Sequence, residues 1–247
     1  MVGTIEWTEY ILKHFEHTLR SANIYGAIGV SCYPYHCDSD VWRAFCELWG
    51  PLTNTFHHDA REVDISLYDL ERIGGLPILG DIYEEFLTHN EDLMDDEKFL
   101  PIVLELLREL TWGAFGKESG RRASDRLLAL NITTIGELAA FLAFWLSHFV
   151  LPYQSEVIRP ETFVMASSMA SGQKISLASM VLGYIYHGLE QVTSHPVHPG
   201  QANPSLPIHY VVGWLAELFL TLCSRRSDSE CPIDYPVLIR NAGMSTK

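Results

Sequence analysis

Three segments of this chain are hydrophobic around almost the whole of their helical circumference. They lie near residues 135–151, 176–192 and 208–223. A helix of this kind is stable in water only when other helices surround it. The apolar run from Leu138 to Leu146 is nine residues long, whereas a membrane-spanning helix needs about 20. The sequence therefore predicts a mainly α-helical fold, a compact single-domain bundle with these three helices at its centre.

Shorter elements are expected around these central helices. Helical spacing of apolar residues predicts helices over 7–19, 21–31, 38–49 and 98–115, with a short one over 82–87 and another over 161–170. A small β-hairpin is predicted near residues 54–66, because two short extended segments flank the turn at Asp59. We expect the helical domain to span residues 1–223 and residues 224–247 to form a loose or truncated C-terminal tail, with an extended piece near Val237.

A helix is expected to begin directly after the hairpin. Ser66 and Asp69 have the spacing of a capping box, in which the Ser hydroxyl accepts an amide hydrogen bond and the acidic group suits the positive helix end. Gly75 supplies backbone freedom at the helix end, and Pro77 cannot continue the helix because it has no amide hydrogen. Thr134 and Glu137 predict a second capping box, at the start of the first apolar helix.

The charge of the chain bears on its partners. A formal net charge of −14 gives a surface that repels phosphate, whereas nucleic-acid binders neutralise phosphates with clustered Lys and Arg. Direct nucleic-acid binding is therefore not expected. One basic cluster, 117–126, contains Arg121 and Arg122; we interpret it as a solvated loop, with a nuclear-import receptor or an acidic partner as the alternative.

The five cysteines are unevenly spaced and odd in number. This pattern does not indicate a disulfide framework and favours an intracellular, reducing compartment. A zinc site could in principle assemble from Cys32, His36 and Cys37 with the pair His57 and His58, but these residues have no C-x-x-C or H-x-x-x-H spacing. No metal site and no membrane segment are predicted.

Catalysis would need titratable groups that converge on one point. The candidates are His57, His58, Asp59, Asp64, Asp69 and His148. Each has a local structural explanation in a turn, a helix cap or a helix face. We expect no enzyme activity, and a cleft that joined His57 or His148 to a carboxylate and a nucleophile would revive that alternative.

Several blocks of the sequence recur in a known family. The chain carries Asn54, Thr55, Phe56 and His57, then Glu62, Leu67 and Asp69, then Gly75, Leu76, Pro77 and Gly80. Apolar blocks ending at Pro152, around Gly172 and from Pro207 to Trp214 follow in the same order. The chain resembles the plant mobile domain, a family of plant transposons and of nuclear plant proteins derived from them. It departs from the family pattern at Asp64 and Ser66, where the family has threonines, and at Leu70, where it has valine.

The resemblance implies a noncatalytic protein-interaction module of a nuclear protein that takes part in transposon silencing and gene-expression control. It also implies a plant serine/threonine phosphatase-like protein as partner. The alternative is an accessory module encoded by a mobile element, associated with nucleic acid or chromatin, that counters host silencing. An aminotransferase-like label borne by some members would need a Schiff-base lysine. Lys174 lies in a matched block, but the α/β organisation of such cofactor sites is missing, so no cofactor is expected.

The partner surface is expected near the hairpin and the basic loop. Its candidate residues are Phe56, His57, His58, Glu62, Asp69, Arg121 and Arg122. The matched residues with an expected structural role are Asn54, Ser66, Gly75, Leu76, Pro77 and Gly80.

Overall fold

The computed structural model describes residues 2–36, 39–58, 61–82, 134–152, 162–194, 206–219, 231 and 234–243. In this part of the chain the fold is mainly α-helical with one small antiparallel sheet. The fold class predicted from the sequence is thus confirmed. The helix predicted at 98–115 and the basic cluster 117–126 lie outside the described residues, as does the helix predicted at 82–87 apart from its first residue.

Three short helices form the N-terminal part. They are α1 (Val2–His14), α2 (Glu16–Ser21) and α3 (Tyr25–Val30). The sequence predicted one helix over residues 7–19, but the backbone leaves helical geometry at Phe15, which caps α2 with φ −118°. Ile11, Leu19 and Ile28 are fully buried, so all three helices contribute to the core.

The helix α4 (Ser39–Glu47) leads into a three-stranded sheet. Its strands are β1 (Trp49–Gly50), β2 (Thr55–His58) and β3 (Arg61–Val63), antiparallel in the order β1-β2-β3. The predicted hairpin is confirmed as β2 and β3. The predicted helical extension to Trp49 is wrong, because Trp49 pairs with Phe56 in the sheet.

Among the described residues, five α-helices follow the sheet and build the centre of the fold. The helix α5 (Leu67–Gly74) follows the hairpin directly. Next come α6 (Thr134–Trp145), which continues as a π-helical turn at Leu146–Val150, α7 (Thr162–Ala170) and α8 (Leu177–Ser194). The last is α9 (Ile208–Leu218). Most side chains of α6 and α9 are buried, as their all-round apolar sequences predicted.

Two predicted ends differ from the structure. The helix α9 was predicted to reach residue 223 but ends at Leu218, because Phe219 takes up a non-helical backbone conformation of φ −116° and ψ 77°. A second capping box was predicted at Thr134 and Glu137. It stays a prediction, because the side chain of Thr134 lies outside the described part of the chain. Glu137 itself is buried beside Tyr10, and burial raises the pKa of its carboxyl group.

The C-terminal segment 234–243 is part of the core. It contains a 3-10 helix, Val237–Asn241, which packs on α5 and α9. Leu238 and Ala242 are fully buried. Leu238 lies in a space left by Gly213, where a Cβ atom would meet its Cδ1 at 2.7 Å. The predicted loose tail is therefore wrong for residues 234–243, and the extended piece expected near Val237 is a 3-10 helix.

No helix among the described residues is long and apolar enough to cross a membrane.

Candidate functional site

The helix after the hairpin begins with the predicted capping box. The Asp69 amide donates to Ser66 Oγ at 3.2 Å, and the Ser66 amide donates to Asp69 Oδ2 at 2.9 Å. Two amides at the N-terminus of α5 are thus satisfied by reciprocal bonds. Asp69 was a candidate for the partner surface, but its half-buried carboxylate is used for this cap. Its position in the family signature is explained by helix initiation.

The loop that follows α5 joins two distant sequence blocks. Gly75 caps the helix with φ 67°, a left-handed conformation that favours glycine. Leu76 and Pro77 are buried. The Asp81 amide then donates to the Lys174 carbonyl at 2.9 Å, and the Ser176 amide donates to the Asp81 carbonyl at 3.0 Å. Gly75 to Gly80 is therefore a docking loop for the block around residue 175, which is a structural role.

The inner face of the sheet is locked into the core by aromatic rings. Phe56 is 2% exposed, and its ring centroid lies 3.9 Å from that of Phe45, 4.7 Å from that of Trp49 and 5.4 Å from that of Trp214. The expectation that Phe56 belongs to an exposed partner surface is wrong. Its position in the signature is explained by packing, which fixes the sheet onto α4 and α9.

The outer face of the sheet carries a connected set of polar side chains. We call Thr53, Thr55, His57 and Glu62 the hairpin outer face. His57 and Glu62 are cross-strand partners, with His57 Nδ1 3.8 Å from Glu62 Oε1. Thr53 Oγ1 lies 2.7 Å from Thr55 Oγ1 and 3.3 Å from His57 Nε2. Thr55 Oγ1 donates to Glu62 Oε2 at 3.5 Å.

The hairpin outer face is open to solvent. The side chains of His57 and Glu62 are 50% and 57% exposed, so the contact between them adds little to stability. The ring of His57 covers Gly50 of the neighbouring strand, in a space that a side chain would fill. Two residues predicted from the sequence to contact a partner, His57 and Glu62, therefore lie together on one accessible face.

An exposed leucine stands beside this face. Leu52, in the turn between β1 and β2, is 99% exposed. The turn closes at Asn54, whose φ of 55° lies in the left-handed region that asparagine tolerates better than most residues. This conformation explains Asn54 in the signature. The turn presents an apolar side chain next to hydrogen-bonding groups, a composition typical of protein contact sites.

The remaining predicted surface residues are less closely grouped. His58 is exposed at the end of β2, where its ring stacks on Phe219 with the centroids 5.5 Å apart. It pairs with Arg61 across the strands, beyond the hairpin outer face. Arg121 and Arg122 lie outside the described residues, so their part in the surface stays a prediction.

The connectivity from Thr53 through His57 to Glu62 has the order of a nucleophile, a base and an acid. In a catalytic triad, however, the imidazole donates a hydrogen bond to a buried carboxylate, and oxyanion-stabilising donors stand nearby. Here the imidazole-to-carboxylate distance of 3.8 Å is too long for a hydrogen bond, and both side chains are at least half exposed. His148, the other histidine candidate, hydrogen-bonds the Phe144 carbonyl of its own helix through Nδ1 at 3.0 Å.

Cysteine and metal chemistry have little support in the described part of the chain. Cys32, Cys46 and Cys231 are not joined in disulfides. Burial raises the pKa of the Cys32 thiol to about 11, whereas a nucleophilic cysteine needs a lowered pKa. Within the described ranges, His, Cys, Asp and Glu side chains form no group of three that is suited to a metal ion.

A surface cleft of about 420 Å³ lies away from the hairpin. We call it the Arg20 cleft. It is formed by the ends of α2 and α5, the start of α3 and the C-terminal segment. Its lining residues are Arg20, Asn23, Tyr25, Gly26, Glu71, Gly75, Asp234, Tyr235 and Pro236.

Comparison with known proteins decides the family. The sequence model of the plant mobile domain matches residues 23–243, nearly the whole chain. The chain belongs to the plant mobile domain family. Membership marks it as a transposon-related plant protein. Comparisons with curated proteins and with solved structures gave no significant match.

The structure divides the matched residues of this plant mobile domain into two groups. Phe56, Ser66, Asp69 and the loop 75–80 hold the fold together. His57 and Glu62 point outward and leave their side chains accessible. In a family signature, polar residues whose side chains stay exposed are the better candidates for recognition.

Sequence reasoning missed Leu52, Thr53 and the Arg20 cleft. Leu52 and Thr53 follow Pro51 in a turn, and a hydrophobic residue at a turn position was the available signal. The Arg20 cleft combines residues from distant parts of the chain, as in the contact of Arg20 with Asp234, which are 214 positions apart. Local sequence patterns carry no signal for such a long-range combination.

Proposed function

We propose that this plant mobile domain is a noncatalytic protein-interaction module of a plant nuclear protein, with a role in silencing transposable elements and in controlling gene expression. The observation that carries the proposal is the arrangement of the sheet. Its inner face is fixed to the core by aromatic rings, whereas its outer face presents His57 and Glu62 to solvent, with the exposed Leu52 in the adjoining turn. A rigid support with an exposed apolar residue and a polar surround suits a protein contact.

The charges around this face favour a protein over a nucleic acid as partner. The hairpin outer face carries the Glu62 carboxylate beside His57, and the basic Arg61 lies with His58 beyond this face. A nucleic-acid interface would gather several basic groups for phosphate contacts. The proposed partner is a protein, and a plant serine/threonine phosphatase-like protein is the candidate that the family suggests.

The proposal is tested by affinity purification of the tagged full chain from plant nuclear extract, with and without nuclease treatment. Recovery of a phosphatase-like protein that resists nuclease is expected. Recovery of chromatin components alone, lost after nuclease treatment, would favour the second candidate, an accessory module of a mobile element that counters host silencing. That candidate also predicts salt-sensitive binding of the purified domain to DNA or RNA.

The order Thr53, His57, Glu62 makes a hydrolase the relevant catalytic alternative. In an enzyme of that kind, the Thr53 hydroxyl would be the nucleophile that a substrate acylates or a probe phosphonylates, with His57 as base. We therefore expect a hydroxyl-directed phosphonylating probe to leave the native protein unlabelled. Labelling that is lost in both Thr53→Val and His57→Ala variants would contradict the noncatalytic proposal.

A further inference from the structure

The Arg20 cleft has the size and lining of a ligand-binding site. Its volume of about 420 Å³ lies within the range of roughly 300–1,000 Å³ in which proteins bind small groups. Tyr25, Tyr235 and Pro236 supply apolar surface, while Glu71 and Asp234 supply carboxylates. The cleft has no part in the contact proposed for the hairpin.

Among the described residues that line the cleft, Arg20 supplies the one guanidinium group, and its charge is already neutralised. Arg20 Nε donates to Glu16 Oε1 at 2.8 Å, and an Nη atom donates to Asp234 Oδ2 at 3.0 Å. Its Cζ atom stands 4.3 Å from the centroid of the Tyr25 ring. Two carboxylates and one aromatic face thus hold Arg20 in place, and its charge is compensated before any ligand arrives.

The charge that remains at the cleft is negative. Glu71 is exposed, and among the described residues it makes no ion pair. It lies in the last turn of α5, and the carbonyl end of that helix, capped by Gly75, adds partial negative charge. Glu71, the helix end and the excess of carboxylates over guanidinium all favour a cation in this position.

We propose that the Arg20 cleft binds a basic side chain, an arginine or a lysine, of a peptide segment in a partner protein. The ammonium or guanidinium group pairs with Glu71 and the C-terminal carbonyls of α5. The aliphatic part of the side chain packs on Tyr235 and Pro236. The Arg20–Asp234 pair holds the C-terminal segment against α2 and so maintains the wall of the cleft.

This contact is separate from the hairpin outer face. The hairpin precedes the N-terminus of α5, and the cleft lies at its C-terminus. Eight residues of α-helix span about 12 Å. The binding of a basic peptide therefore does not depend on Leu52 or His57, and each surface is tested alone.

The test is fluorescence anisotropy with a labelled peptide of alternating glycine and arginine and the purified full chain at low salt. The Glu71→Gln variant should bind the peptide about two- to fivefold more weakly, as expected for loss of one exposed charge pair. Glu71→Lys should bind it more weakly still. The matched control is Glu190→Lys, which makes the same change in net charge at an exposed site on α8. It should bind as the unchanged protein does, after correction for a small general charge effect.

Amide chemical shifts locate the peptide independently of affinity. We expect peptide-induced shifts at Asn23, Gly26, Gly75 and Tyr235, and the same shifts in a Leu52→Asp variant. Equal weakening by Glu190→Lys and Glu71→Lys, or shifts scattered over the acidic surface, would overturn the proposal. So would tighter binding of a glycine-glutamate peptide. None of these outcomes would alter the capture of a partner through the hairpin outer face.

Discussion

Gly80 lies directly against the carbonyl of Lys174. A Cβ atom at position 80 would stand 2.6 Å from that oxygen, and the backbone of Gly80 has φ 152°. This close approach allows the next residue, Asp81, to form its parallel bridge with Ile175. The last glycine of the signature is therefore needed where two sequence blocks more than 90 residues apart meet.

Replacement of Gly80 by alanine should destabilise the domain. The added methyl group forces the backbone of residue 174 away and separates the two blocks, at an expected cost of about 1–3 kcal/mol in the free energy of unfolding. Gly183→Ala is the matched control, because that glycine lies in α8 with nothing within 4 Å of its Cβ position. It should stabilise the helix by about 0.5–1 kcal/mol. Urea unfolding of both variants measures the difference, and a neutral Gly80→Ala would count against the docking loop.

The C-terminal segment is expected to contribute to stability as a core element. Leu238 is fully buried against Gly213, so Leu238→Ala should lower the free energy of unfolding by about 2–5 kcal/mol. Leu52→Ala removes the same atoms at a site that is 99% exposed, and it should change stability by less than about 0.5 kcal/mol. Thermal or urea unfolding distinguishes the two. Similar small effects at both positions would restore the loose-tail interpretation of residues 224–247.

A histidine with a buried ring nitrogen should make the domain sensitive to mild acid. Burial lowers the pKa of His209 to about 3, and its Nε2 atom has no hydrogen-bond partner among the described residues. The ring of Phe149 covers it at 4.0 Å between centroids. In the unfolded chain the pKa of histidine is about 6.5. Below that pH the unfolded state binds a proton at this histidine and the folded state does not. The free energy of unfolding therefore falls as the pH drops from about 6.5 towards 3.

Between pH 7 and pH 5 this effect should cost about 1–2 kcal/mol. A His209→Phe variant should lose less stability over the same interval, because its side chain takes up no proton. His187→Phe is the control, since His187 is exposed on α8. Urea unfolding at the two pH values measures each loss. If His209→Phe and the unchanged protein lose the same free energy, the acid sensitivity has another source.

The parts of the fold that depend on residues close together in the sequence were predicted well. The capping box of Ser66 and Asp69 needs only a spacing of three residues, and the all-round apolar sequence of α6 needs only its own composition to indicate burial. The hairpin was predicted for the same reason. Its turn signal and its two extended segments lie within a few residues of each other.

The sequence was a poorer guide where distant residues decide the outcome. The burial of Phe56 depends on Trp214, which is 158 positions away, and nothing in Thr55–His58 indicates which face meets the core. The strand β1 forms because Trp49 pairs with Phe56, although its own spacing continues a helix. The prediction of a partner surface thus included one core residue and one capping residue.

The most direct test of the interaction proposal compares partner recovery by hairpin variants. A Leu52→Asp/His57→Ala double variant should lose the nuclease-resistant protein partner by about tenfold or more, because the exposed apolar contact and one exposed polar contact of the hairpin are removed together. The matched control is Ile135→Asp, which changes a half-exposed residue at the start of α6 where acidic groups suit the helix end. The account predicts full recovery with this control and equal thermal stability of all three proteins. Undiminished recovery with the double variant would contradict the claim that the hairpin outer face binds the partner.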